Sequence, residues 1–189
     1  MTDPMPDESV LDPFVSVEYY TANFGPETAR LYGDLMAASA IIRSRCQWHV
    51  WPFVEADEVI VERPGGGKSL LLPTMHMSAL TAVSETLRGV GEVAAVVDVS
   101  ELDWSQSGVV EKLSGCSWTT RRRGVTATID HGFIDAPDEI KLLCANLAGR
   151  AVTPGGISRL QVGQRSEDYR APGIMQHELD LLAPYVRVR

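Results

Sequence analysis

Between Trp48 and Phe133 this chain carries a succession of short strand patterns, set between two helical stretches, and that order limits the fold more than anything else in it. Val125, Ala127 and Ile129 alternate with Thr126, Thr128 and Asp130, the period-two pattern of a strand with one face buried. Glu58-Val59-Ile60-Val61-Glu62 predicts a strand, Pro64-Gly65-Gly66-Gly67 its turn, and Ser69-Leu70-Leu71-Leu72 the return strand of a hairpin. Residues 92–99 predict another strand, and Ser105-Gln106-Ser107-Gly108 a hairpin turn before Val109-Val110. Residues 78–88 fit two patterns. Leu80, Val83 and Leu87 suit a helix face, whereas the Thr and Val content and the flanking Gly89 and Gly91 suit a bulged strand.

Helical patterns lie on both sides. Residues 16–23 predict a short helix closed by Phe24-Gly25, and Pro26 is placed to open a longer one, since proline suits the first helical position. Leu31, Leu35, Ala38 and Ile42 then form one helical stripe, running to about Cys46. A third helix starts near Pro137, with Asp135, Asp138 and Glu139 favoured by its dipole and Ile140, Leu143, Cys144, Leu147 and Ala151 as its apolar face. Residues 161–170 are too polar for a core. Residues 174–183 predict a last helix, packed through Met175, Leu179 and Leu182 and stopped by Pro184. The expected class is α+β: a helical core of N- and C-terminal helices with a large inserted β-rich region of short antiparallel strands. The expected layout is an acidic leader over 1–13 and a single domain over 14–183. That domain holds helices within 16–46, the β insertion over 48–133, and helices over 137–152 and 174–183. An extended tail over 184–189 follows.

Composition narrows the function. The chain has 189 residues and a formal net charge of −8, which argues against a protein whose main task is gripping nucleic acid phosphates. Cys46, Cys116 and Cys144 are scattered, without the spacing of a zinc or redox motif, and read as small apolar residues in a reducing compartment. No apolar run reaches a membrane span, and residues 1–13 lack the positive charge of a signal peptide, so export and membrane insertion are disfavoured.

Catalytic motifs fail on their chemistry. Gly65-Gly66-Gly67-Lys68-Ser69 resembles the end of a phosphate-binding loop, but Glu62 stands where the first glycine belongs, and Leu70-Leu71-Leu72-Pro73 follows instead of a helix. His49, His76, His131 and His177 are single histidines without a partner at helical spacing. Asp130 and His131, adjacent in a strand, point to opposite faces. No Gly-x-Ser-x-Gly elbow is present. No catalytic residue, cofactor or metal is therefore expected. Arg121, Arg122 and Arg123 form the densest basic run: either a contact to phosphate or an acidic partner, or a solvated hairpin tip, which the acidic background favours. Trp48, Trp51, Trp104 and Trp118 are expected to pack a core or a subunit interface. Tyr185, Val186, Arg187, Val188 and Arg189 alternate like a strand without a partner and are unusually basic for this chain. They form either a docking segment or a frayed terminus.

Four stretches together resemble the head-to-tail connector (adaptor, head-completion) proteins of tailed bacteriophages. They are Ala37-Ala38-Ser39-Ala40-Ile41-Ile42-Arg43-Ser44 with Trp48; the hairpin over 59–73; Trp118 with residues 125–133 and Pro137; and the 166–169 and 178–185 segments. The acidic leader and the long β insertion depart from the family pattern. The resemblance implies a non-enzymatic virion subunit of the neck, assembled in the host cytoplasm into a ring of about twelve copies. Its implied partners are the portal protein above, a head-closure or tail-terminator protein below, and double-stranded DNA passing through the lumen without sequence-specific binding. Tyr185, Val186, Arg187, Val188 and Arg189 would then meet the portal, and Arg121, Arg122 and Arg123 a neighbouring subunit or the tail. The alternatives are another neck or tail-completion protein, or a nucleotide-binding enzyme using Gly67-Lys68-Ser69.

Overall fold

A computed structural model describes residues 11–87, 94–151, 159–162, 165–168 and 174–187, with backbone alone at 151, 159–162 and 165–168. The expected leader thus lies mostly outside the described residues. The chain divides into two units, Met1–Ile42 with Asp138–Leu181, and Arg43–Pro137 with Leu182–Arg189. Helices and antiparallel sheets are both present, as an α+β chain requires.

The first unit is helical. Ser16 caps α1 (Val17–Asn23), its side chain accepting from the Tyr19 N–H, and Phe24 closes it by donating to the Tyr20 carbonyl and stacking on that ring. α2 (Leu31–Cys46) buries Leu31, Leu35, Ala38 and Ile42 in one stripe. It opens later than Pro26 suggests, because the Leu31 N–H closes a turn on the Thr28 carbonyl. α3 (Asp138–Ala151) buries Ile140, Leu143, Cys144 and Leu147, with Asp138 and Glu139 in its first turn. Ser39, fully buried on α2, accepts from the Phe14 N–H at 3.0 Å and lies 3.3 Å from Cys144 Sγ on α3. One hydroxyl therefore ties three segments of the helical unit together. α4 (Gln176–Leu182) buries Leu182 and half-buries Met175 and Leu179 nearby. The polar stretch before it contains an antiparallel pair, Arg159–Val162 with Arg165–Asp168.

The second unit is a pair of sheets. β1 (Val54–Val61), β2 (Ser69–Leu71), β3 (Met77–Glu85), β4 (Ala95–Val97), β5 (Leu102–Trp104), β6 (Val109–Lys112) and β7 (Val125–His131) follow in chain order. They form a four-stranded sheet, β1-β7-β3-β4, and a three-stranded sheet, β2-β6-β5. Val61, Leu80, Val83, Val125, Ala127 and Ile129 from the first and Leu70, Leu102 and Val110 from the second share one core with Leu72, Met77 and Trp118. β7 alternates buried and half-buried residues along its whole length.

Two sequence expectations change here. β1 and β2 do not form a hairpin: β1 pairs with β7, and β2 pairs with β6. The glycine turn carries the chain from one sheet to the other, and Gly65 and Gly66 both take positive φ to make that corner. Residues 78–88 resolve as strand over Met77–Glu85, with register breaks at Met77/Ala79 and Leu80/Ala82. Each bulge adds a residue, so the buried positions fall at Met77, Leu80, Val83 and Glu85. A twice-bulged strand thereby acquires the three-residue spacing of a helix stripe.

Candidate docking surfaces

The expected docking segment at the C-terminus belongs to the β unit. α4 runs into a 3-10 turn, Ala183–Tyr185, that accommodates Pro184, so the chain turns once more before it extends. The Trp48 indole N–H donates to the Tyr185 carbonyl at 2.7 Å, and the Tyr185 and Phe133 rings meet at 6.2 Å. The Arg187 N–H donates to the Cys46 carbonyl at 3.1 Å, and its guanidinium to the Leu71 carbonyl at 3.3 Å. Tyr185, Val186 and Arg187 thus lie half-buried on their own chain, held by these contacts and not by pairing as a strand. Val188 and Arg189 lie outside the described residues. Trp48, expected to pack a core or an interface, is buried and also anchors this segment through its indole N–H.

Arg121, Arg122 and Arg123 sit between buried Trp118 and β7, at one end of the β unit. Arg123 takes φ +54 and pairs with Glu62 at 3.5 Å, both side chains largely exposed. Its N–H donates to the Glu62 carbonyl, and the Trp118 N–H to the Gly67 carbonyl at 2.8 Å, so this loop lies beside the glycine turn. A side chain at Gly66 would meet Thr120 Cγ2 at 2.4 Å, which is why the turn needs glycine there. Arg63 and Lys68, exposed in that turn, thereby join the three arginines.

The glycine turn lacks the geometry of a phosphate-binding loop. It leads into β2 rather than a helix, and the Ser69 hydroxyl donates to the Glu111 carboxylate. The histidines are less solitary than their spacing implies. His131, buried on β7, contacts Asp57 through Nε2 at 2.9 Å, and its ring meets that of His49 at 5.5 Å. His49 Nε2 contacts the Pro52 carbonyl. Burial is the main force holding His49 below its ordinary value; the His131 and Arg43 charges add to it, while the Pro52 contact and Asp57 oppose it. His76 packs on Phe133 with ring centres 4.1 Å apart and contacts the Gly132 carbonyl. Asp130 instead accepts from the Ala56 N–H and fixes the bulge in β1. His49, His76 and His131 meet carboxylate, carbonyl, amide and ring groups, and no group of three or more metal-ligating side chains occurs among the described residues. No helix among the described residues is long and apolar enough to cross a membrane.

The architecture is a helical unit interrupted in sequence by a two-sheet unit, and the fold has solved counterparts. One is a chain from the neck of an empty GTA (gene transfer agent) particle computed with C6 symmetry. It is 17% identical, with a TM-score of 0.53, over 87% of this chain and 81% of that one. Another is a chain from the neck of a native GTA particle computed with C12 symmetry, 14% identical, with a TM-score of 0.57, over 92% of this chain and 88% of that one. These likenesses establish a shared fold across both units. No family model matches the sequence, and no curated protein matches it significantly.

Proposed function

We propose that this chain is a structural, non-enzymatic subunit of the neck of a tailed phage-like particle. The observation that carries the reading is the fold, shared over nearly the whole chain with neck chains from assemblies of six- and twelvefold symmetry. In this reading about twelve copies close into a ring beneath a portal, extend the DNA channel and offer a platform for the tail. The net charge of −8 suits a wall along which DNA slides. In this reading the C-terminal segment is the portal contact, with Trp48 and the Arg187 hydrogen bonds holding Tyr185, Val186 and Arg187 in place for it.

The test is direct imaging of the purified full chain, together with a version truncated after Arg187. Both are expected to form rings with a central hole, and only the full chain is expected to dock on DNA-filled, tailless heads. A protein that stays monomeric at every concentration, or that binds nucleotide through Lys68, overturns the neck reading. Normal docking by the truncated chain overturns the portal assignment alone.

A further inference from the structure

Five cations converge at one end of the β unit from two loops far apart in sequence: Arg63 and Lys68 from the glycine turn, and Arg121, Arg122 and Arg123 from the loop before β7. Backbone hydrogen bonds from Arg123 to Glu62 and from Trp118 to Gly67 lock the two loops side by side. Within this cluster Arg123 pairs with Glu62 at 3.5 Å. The other four cations stand on these two adjoining loops in a chain whose net charge is −8. Like charges held close repel, so the cluster costs the fold stability that an anionic partner would return.

We propose that this two-loop patch grips the phosphate backbone of double-stranded DNA without reading its sequence. Three observations favour phosphate over an acidic protein surface. First, four of the five cations are arginines, whose planar fork matches phosphate oxygens two at a time. Second, no exposed large apolar residue lies within 62–68 or 118–124, and Trp118 is buried beneath them. Protein interfaces are anchored by apolar and aromatic side chains in a desolvated centre, whereas a phosphate contact requires charge alone. Third, Gly65 and Gly67 are exposed and the space beside Gly65 is open, so a bulky polyanion can come close to the turn there. The acidic remainder of the chain keeps that grip weak and reversible, as a DNA channel needs. This assignment rests on the neck reading for its biological setting, but its chemistry is testable apart from it.

The experiment measures anisotropy of a fluorescent duplex of random sequence, titrated with the full chain at two salt concentrations. With about four phosphates neutralised, affinity should fall roughly a hundredfold between about 50 and about 200 mM salt. Replacing Arg63, Lys68, Arg121 and Arg122 with Gln should abolish most of the binding and most of its salt dependence. A control replacing the exposed Arg30 and Arg45 should leave both unchanged. Circular dichroism and thermal unfolding check that each variant folds, and a variant carrying Arg121→Gln and Arg122→Gln alone, expected to lose about half the salt slope, serves if the quadruple does not. Absence of binding by the unsubstituted chain, or equal binding by the patch and control variants, overturns the proposal. So does a patch variant that keeps its DNA affinity but loses ring formation, which would assign the patch to a protein neighbour. Rings without DNA binding defeat this inference and spare the neck reading, and DNA binding without rings does the reverse.

Discussion

Both units bury a glutamate, and both surround it in the same way. In the β unit Glu85, at the end of β3, accepts from the Thr119 N–H and pairs with Lys112 on β6, each at 2.5 Å, joining the two sheets. In the helical unit Glu178 on α4 accepts from the Met175 N–H at 2.7 Å and pairs with Arg150 on α3 at 2.8 Å. The difference lies in the cation. Lys112 is 14% exposed and lies over the Trp118 ring, 4.5 Å from its centre, whereas Arg150 is 27% exposed. A buried charge is tolerated because its partner is present. How much is lost on removing the glutamate therefore depends on whether the orphaned cation can reach water.

That comparison is open to breakage, and the largest effect is expected at Glu85. Replacing it with Ala strands Lys112 in the core and leaves the Thr119 N–H unmatched, at a cost of about 3–5 kcal/mol. Glu85→Gln keeps an acceptor and is expected to cost less. All four tryptophans lie in the β unit, so the urea midpoint followed by tryptophan fluorescence reports its unfolding. Glu178→Ala should cost about 2–3 kcal/mol, read from helical ellipticity, because Arg150 turns to solvent more easily. A loss at Glu178 equal to or above that at Glu85 would show that exposure of the cation does not set the penalty.

The sequence carried the helices of one unit well and the pairing of the other poorly, for physical reasons. Leu31, Leu35, Ala38 and Ile42 declare their face through a local period, and the alternation of β7 does the same. Strand partnership is not local. β2 lies next in sequence to β1, yet Leu70 is buried in the core from the opposite sheet, and only the corner at Gly65 and Gly66 shows why. The bulges in β3 disguise a strand as a helix stripe. The basic run 121–123 was visible, but the addition of Arg63 and Lys68 depends on two hydrogen bonds between loops. The contact of His131 with Asp57 and His49 was hidden likewise, since no spacing rule joins residues from three separate segments.

The smallest expected effect separates the two units by pH. Burial pushes the Glu178 carboxyl up, but hydrogen bonds from Arg150 and the Met175 N–H, with the charges of Arg150 and His177, outweigh it and hold the group below 4.5. Its folded value is depressed, so its contribution is present above pH 4.5 and is lost as pH falls through the folded value. His49 in the β unit is also depressed, from 6.5, because burial disfavours the imidazolium and the neighbouring His131 and Arg43 oppose it further. The unfolded chain then takes up the proton first, so stability from His49 is full above pH 6.5 and declines as pH falls through the folded value. The tryptophan-detected urea midpoint should therefore drop between about pH 7.5 and about pH 5.5, before Glu178 begins to titrate. His49→Asn keeps a side-chain donor near the Pro52 carbonyl but cannot gain a proton in this range. Its midpoint should change less across the same interval. If the substituted and original chains lose stability in parallel, the mild-acid sensitivity of the β unit does not come from His49.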